Sequence, residues 1–447
     1  MSTTPKPPTP VYILRGHAAP IHALHVFHDN LRLVSADANG WVVVWDLVSK
    51  RPVVAWKAHD GAVLEAKASS SGFGTATEVY THGRDHKLRV WRFRAQDEDI
   101  LQKVLPVDRV VDGDGSGEST GTGVQPWMVH SLPVNALNFC AFSLLFLAED
   151  SDASSAGMTE GQTQEEATPL SSSALIAAPN ALDSGALDIF QLPVEKRVCT
   201  IPADPAVKTG MVMAAKLFVR GPGEQLYVAA GYEDGRIAVF ARRGELSAKV
   251  VREAGGGRPW EWEKIYACRP HSQPVLAIDV FAADGYFVSS SADALLVKHP
   301  VPQLASLRGG QGAVEDTPLK NVNTKHAGQQ GVRIRSDGKI FATAGWDSRV
   351  RVYSCRSMKE LAVLKWHKEG CYVVAFADVP SAIDASATGE SLTGEQAKSD
   401  EAVAEAQLTQ GGSSLAALQR QRNAKVQNTH WLAAGSKDGK ISLWDIY

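Results

Sequence analysis

Cysteine is scarce in this chain. Five are scattered over 447 residues (Cys140, Cys199, Cys268, Cys355, Cys371), and no two form a Cys-x-x-Cys pair. An odd, dispersed set argues against a disulfide framework and for a reducing compartment, with the thiols acting as small buried hydrophobes. Long apolar runs are also missing, so no segment is expected to cross a bilayer as a helix. The opening residues, Met1-Ser-Thr-Thr-Pro-Lys-Pro-Pro-Thr-Pro, have no apolar signal core, and residues 1–10 read as a disordered lead. Excess charge is lacking as well. With 46 basic and 49 acidic residues the net charge is −3, which speaks against a protein held on a nucleic-acid backbone. The glycine-rich run 112–123 lacks a Gly-Lys-Ser/Thr ending, so it is not a phosphate-binding loop.

What the chain does have is a repeat. Its last stretch, Leu432-Ala-Ala-Gly-Ser-Lys-Asp438-Gly439-Lys-Ile-Ser-Leu-Trp444-Asp445, sets two strand-like runs around an Asp-Gly turn. Ile441 and Leu443 alternate with Ser442 and Trp444, the period of a strand with two distinct faces. A turn residue followed six positions later by a ring recurs as Asn39/Trp45, Asp85/Trp91, Ser184/Phe190, Asp234/Phe240, Asp293/His299, Asp347/Tyr353 and Asp438/Trp444. Seven hairpins in one register are an internal repeat, and that outranks any other reading.

Each repeat supplies short strands that cannot bury both faces alone, so radial stacking into a seven-bladed all-β propeller is expected. The repeats fall at about 13–56, 57–107, 127–201, 202–267, 268–324, 325–364 and 365–447. Each of the first six is followed by one more strand: Val53–Trp56, about 100–105, Val198–Ile201, Trp262–Tyr266, about 322–324 and Leu361–Leu364. The last repeat has no room for one, so residues 11–14 are expected to complete it and close the ring. Segments of about 108–124, 149–172 and 380–428 are low in hydrophobicity and read as disordered insertions within one domain. Residues 402–422, in the last of these, hold enough Ala, Leu, Glu and Gln for transient helix.

The Gly-His, Ser/Thr, Asp-Gly and Trp-Asp pattern resembles the WD40 repeat family, whose His, Ser/Thr, Asp and Trp hydrogen-bond across a blade. The resemblance assigns structural roles to His17, His59, Thr81, Asp85, Trp91, Asp234, Asp347, Asp438 and Trp444. His130, His271, His326 and His367 match the turn histidine, Ser35, Ser289 and Thr343 match the hydroxyl, and only the second repeat reads as a complete set. The stretches Ser35–Val48, Gly83–Trp91, Thr324–Gly331, Phe341–Tyr353 and Gly435–Tyr447 are similar to a narrower group, the fungal ASTRA-associated protein 1 family. That likeness implies a subunit of a nuclear assembly, the ASTRA complex, linked to chromatin remodelling and to assembly of phosphatidylinositol-3-kinase-like proteins. Co-chaperone and kinase-like subunits would be its partners.

No catalytic, cofactor or metal site is expected. The Asp and His residues recur once per blade, whereas a catalytic set would be unique. His22, His25 and His28 lie three apart, a spacing expected to put neighbours on opposite strand faces. In WD40 proteins partners often dock on the face bearing the Gly-His turns, at positions just before the turn Asp and three and five after the turn His. Carried over, these are Arg84, Asp183, Glu233, Trp346 and Lys437, then Pro20, His22, Leu64, Pro133, Asn135, Pro274, Leu276, Gln329 and Tyr372, with Met211 and Met213 in the fourth repeat. Exposed Trp, Tyr, Met and Leu beside Arg and Lys have the composition of an interface core. The expected function is a non-enzymatic scaffold acting through proteins, not nucleic acid, membrane or small molecules. The alternative is a substrate receptor for a cullin-type ubiquitin ligase, to whose Trp-Asp-x-Arg box Trp91-Arg-Phe-Arg94 bears a loose likeness.

Overall fold

Alternating apolar residues between turn signals give four-stranded antiparallel sheets, and the computed structural model arranges seven of them in a ring. It describes residues 8–70, 76–109, 124–135, 140–147, 173–221, 225–244, 246, 251, 260–304, 314–379 and 415–446. Most of the lead and most of the three expected insertions lie outside these residues.

The first blade runs Ile21–Phe27, Arg32–Asp37, Trp41–Asp46 and Arg51–Lys57 from the axis outward. The fourth, fifth and sixth follow the same plan, with inner strands Val212–Arg220, Val275–Phe281 and Gln329–Ile334. The second blade (Val63–Ser70, Ala76–Gly83, Lys87–Arg94) takes its outer strand from Trp127–Pro133, not from the expected 100–105. Residues 100–102 instead bridge to Val124 and hand the Gln102 carbonyl to the Ala55 amide. The stretch from Trp127 therefore ends the second blade, and the inner strand of the third is Ser143–Phe146.

The seventh sheet contains Cys371–Phe376, Trp431–Ser436, Lys440–Asp445 and, outermost, Tyr12–Arg15. Tyr12 pairs with Leu443 and Leu14 with Ile441, and Leu14 is 1% exposed. The N-terminal strand closes the ring as expected. The insertion in this blade ends in a helix, Leu415–Gln427, where mostly disorder was expected. Its anchor lies at its C-terminal end: Trp431 Nε1 donates to the Val426 carbonyl, and Asn30 Nδ2 donates to those of Asp378 and Gln427.

The core is a set of layers between blades rather than one centre. Trp45, Leu24 and Val43 of the first blade pack with Val373, Ala433 and Leu443 of the seventh, while Val34, Val44 and Trp56 pack with Val63, Val79 and Trp91 of the second. Burial of this kind stabilises by about 25 cal/mol per Å² of apolar surface. Each blade is thus held by its neighbours, and the ring stands or falls with its closure.

Candidate protein-binding face

Polar residues buried between blades need partners, and the blade network supplies them. In the second blade His59 Nδ1 bonds Asp85 Oδ1 at 2.9 Å, His59 Nε2 bonds Thr81 Oγ1 at 2.8 Å, and Trp91 Nε1 donates to Thr81 Oγ1 at 3.0 Å. With Nδ1–H donating to the carboxylate, Nε2 accepts the hydroxyl proton and the hydroxyl accepts the indole N–H, so each bond polarises the next. The network ties the turn before the inner strand to the two middle strands and so fixes one end of the blade.

The second blade is not alone in having a full set, which corrects the sequence reading. In the first, His17 bonds Asp37 at 2.7 Å and Ser35 at 2.8 Å, and Trp45 Nε1 donates to Ser35 at 2.8 Å. Asp37, not the turn residue Asn39, supplies the carboxylate. It stands where the second blade has Gly83, at which an added Cβ would lie 2.3 Å from the His59 ring. Either the turn carboxylate reaches back over a glycine, or the carboxylate takes the glycine's place. In the fifth blade His271 bonds Asp293 and Ser289, and His299 stands in for tryptophan, 2.8 Å from Ser289 Oγ. The seventh moves the hydroxyl across the sheet: Ser442 Oγ meets His367 Nε2 and Trp444 Nε1, each at 2.8 Å, while Asp438 stays 3.9 Å from His367.

Two other histidines were misplaced by the repeat reading. His326 is part-exposed, 3.7 Å from Asp347. Gln329 takes the inner place, accepting from Thr343 Oγ1 at 2.6 Å, and is fully buried. Gln329 is therefore a blade residue and not a surface candidate, because the repeat here is offset by one residue from His326. His130 lies on the outer strand of the second blade and bonds Glu195. Counting from it led to Asn135, which is also buried and donates to the Asn180 carbonyl at 2.7 Å. Asp234 has no turn histidine opposite; its carboxylate accepts from Arg236 Nε and from the Arg236 amide. Asp347 is held by Arg351.

Burial of two histidines, the network residue His367 and His82 of strand Ala76–Gly83, has a pH consequence. Burial pulls His82 and His367 down to about 4. Between that value and the ordinary 6.5, the unfolded chain binds protons that the folded chain refuses, so stability falls with falling pH in this window. Urea midpoints are expected to drop from pH 7 to pH 4.5. A His82→Phe variant is expected to show a slope shallower by about one proton; an unchanged slope would show that His82 takes no part.

The mouth of the ring is built by bulges. Six inner strands slip register at their first residues, between Ile21/Ala23, Val63/Glu65, Val212/Ala214, Val275/Ala277, Gln329/Gly331 and Cys371/Val373. The extra residue leaves the ladder and turns to the axis. These are His22, Leu64, Met213, Leu276, Gln330 and Tyr372, and all six line the central cavity. Five of them were carried over as surface candidates; Gln330 was missed because of the one-residue offset. The bulge also overturns the expectation that His22 and His25 diverge, and His28 joins them from beyond the strand's end, at φ 53°. All three reach the inner strand of the second blade, at Val63 O, Ala68 N and Ser70 Oγ. They are bonded one by one along that strand, and no metal-binding cluster is found among the described residues.

Outside the mouth, Arg84, Asp183, Glu233 and Lys437 are exposed on turns and Met211 is half-buried. Trp346 is 48% exposed yet fixed. Its Nε1 donates to Gln330 Oε1 at 2.6 Å, and its ring lies so close over Gly328 (φ 72°) that a Cβ there would meet it at 2.1 Å. A shallow depression joins Trp346, Lys368, Tyr372 and Lys437 to Gln330 at the mouth. An aromatic ring held in place loses little entropy on contact, which is what an anchor residue needs. Arg92, in the stretch likened to a ligase box, is engaged within its blade by Glu78 at 2.6 Å.

The family model described as ASTRA-associated protein 1 matches residues 10–444. Similar proteins of that name come from Aspergillus niger, 61% identical over 99% of this chain and 98% of the relative, and from Verticillium alfalfae, 41% identical over 100% and 94%. Another, from Schizosaccharomyces pombe, is 32% identical over 83% of this chain and 93% of the relative. On this match, which spans all seven blades, the chain belongs to the ASTRA-associated protein 1 family.

Proposed function

We propose that this protein is a non-enzymatic propeller scaffold of the ASTRA complex. It works in the nucleus, in chromatin remodelling and in assembly of phosphatidylinositol-3-kinase-like proteins, through co-chaperone and kinase-like subunits. The observation that carries the reading is Trp346, half-exposed and pinned over Gly328 beside the mouth, on a chain whose relatives bear the complex in their name. A rigid ring with an indole anchor next to Lys368 and Lys437 offers a partner an apolar contact rimmed by cations.

Affinity purification of the tagged full chain tests this. Recovery of co-chaperone and kinase-like subunits is the expected result; recovery of a cullin adaptor in their place would move the protein to the ubiquitin-ligase reading. In the same experiment Trp346→Ala is expected to weaken partner recovery by about 30-fold, the effect of losing about 2 kcal/mol at a hot spot. Its melting temperature should barely move, since the ring packs on solvent and a glycine. A large fall in melting temperature would make Trp346 a packing residue.

A further inference from the structure

Three residues below each bulge, the inner strands carry a second ring of equivalent residues, of which Lys67, Lys216 and Arg333 line the cavity. Its members are His25, Lys67, Lys216, Asp279, Arg333 and Ala375, equivalent by register: they pair with Val34, Tyr80, Ala229, Val288, Ala342 and Ala433 on the neighbouring strands. One more charged group, Glu65, reaches this level from the second blade. The belt therefore holds three cations and two carboxylates.

The carboxylates are fully engaged. Glu65 Oε2 accepts from Arg333 at 3.0 Å, a bond that crosses the axis from the sixth blade to the second, and Oε1 accepts from the Ala66 amide. Asp279 Oδ1 accepts from Lys216 at 2.7 Å, and Oδ2 accepts from the Ile334 amide. Lys67 is left over. Its ammonium stands 4.0 Å from Glu65, beyond hydrogen-bond distance. His25 does not supply an anion either: its Nδ1 accepts from the Ala68 amide, which leaves the other ring nitrogen as a donor.

The belt thus carries one cation more than its carboxylates neutralise, in a cavity of about 150 Å³. At about 30 Å³ per water that is room for roughly five waters, or for a tetrahedral oxyanion with part of its shell. Entry is through the mouth of bulged residues. A buried charge whose counter-charge is shared with another cation is costly, and an anion from solution relieves it.

We propose that the central cavity is a binding site for one small oxyanion of the phosphate type, held by Lys67 with the guanidinium of Arg333 beside it. Burial pulls the Lys67 ammonium down to about 8; Glu65 opposes the shift and the nearby Arg333 and Lys216 cations add to it. The proposal does not depend on the partner assigned above, since the purified chain alone should show it.

Equilibrium dialysis of the full chain against inorganic phosphate, at low chloride, tests it. One phosphate per chain is expected. Lys67→Met should weaken binding by about tenfold or more, Lys67→Arg should retain it, and Asp279→Asn, which frees a second cation, should tighten it. Lys67→Gln serves if the methionine variant does not fold. Absence of saturable binding, or binding that Lys67→Met and Asp279→Asn both leave unchanged, would overturn the proposal by placing the phosphate on surface lysines or nowhere.

Discussion

A chain lacking residues 1–15 is expected to lose about 3–5 kcal/mol and to open first at its last blade. The estimate is built from few parts. Leu14, 1% exposed, packs into the layer shared by the first and seventh blades with Ile441 and Leu443. Removing so buried a side chain costs roughly 2–3 kcal/mol in transfer alone. The ladder from Val11 to Arg15, including the Val11 amide to Leu443 carbonyl bond of 2.8 Å, adds about 1 kcal/mol per bond, offset by the ordering entropy of a short strand. Deletion would also bare the edge of Lys440–Asp445, an invitation to pairing between chains. Hydrogen exchange should locate the damage at Ile441–Trp444, residues the deletion does not touch. Unchanged exchange and unchanged melting would mean that the strand is an ornament and the ring is held shut by the blades alone.

The closure was legible because it follows from counting: six repeats have a following strand, the seventh does not, and one strand precedes the first. The seven sheets were legible because Asp-Gly or its equivalents recur at one spacing from a ring. What escaped the sequence is local displacement. A bulge of one residue puts both His22 and His25 on the second blade's inner strand, which strict two-residue alternation denies. The offset at Lys325-His326 exchanges the roles of Gln329 and Gln330, burying the first and sending the second to the mouth. The second blade's outer strand lies beyond a long insertion, so the nearer apolar stretch at 100–105 looked like the better match. Asp37 and Ser442 were hidden for a related reason. Each fills a network role from a position that the repeat pattern does not assign, because hydrogen-bond geometry constrains atoms and not sequence positions.

Among these displacements the seventh blade gives the sharpest test. Ser442→Ala is expected to cost about 2–5 kcal/mol, since it strands the Trp444 indole N–H and His367 Nε2, two buried groups worth about 1–3 kcal/mol each when unpaired. Both now meet Ser442 Oγ at 2.8 Å, and His367 Nδ1 has no hydrogen-bond partner among the described residues. The first blade shows how the loss could be made good. There the hydroxyl is on the preceding strand, at Ser35, directly opposite Val43; in the seventh blade the opposed pair is Ala434 and Ser442. Directly opposed residues of an antiparallel pair project on the same side of the sheet. The double variant Ala434→Ser with Ser442→Val therefore rebuilds the first blade's arrangement within the seventh and is expected to recover at least half of the lost stability. Chemical denaturation of wild type, single and double variants reads the result. A double variant no more stable than Ser442→Ala would show that the hydroxyl acts only from strand Lys440–Asp445, and that the blades, despite a shared network, are not interchangeable in how they are fastened.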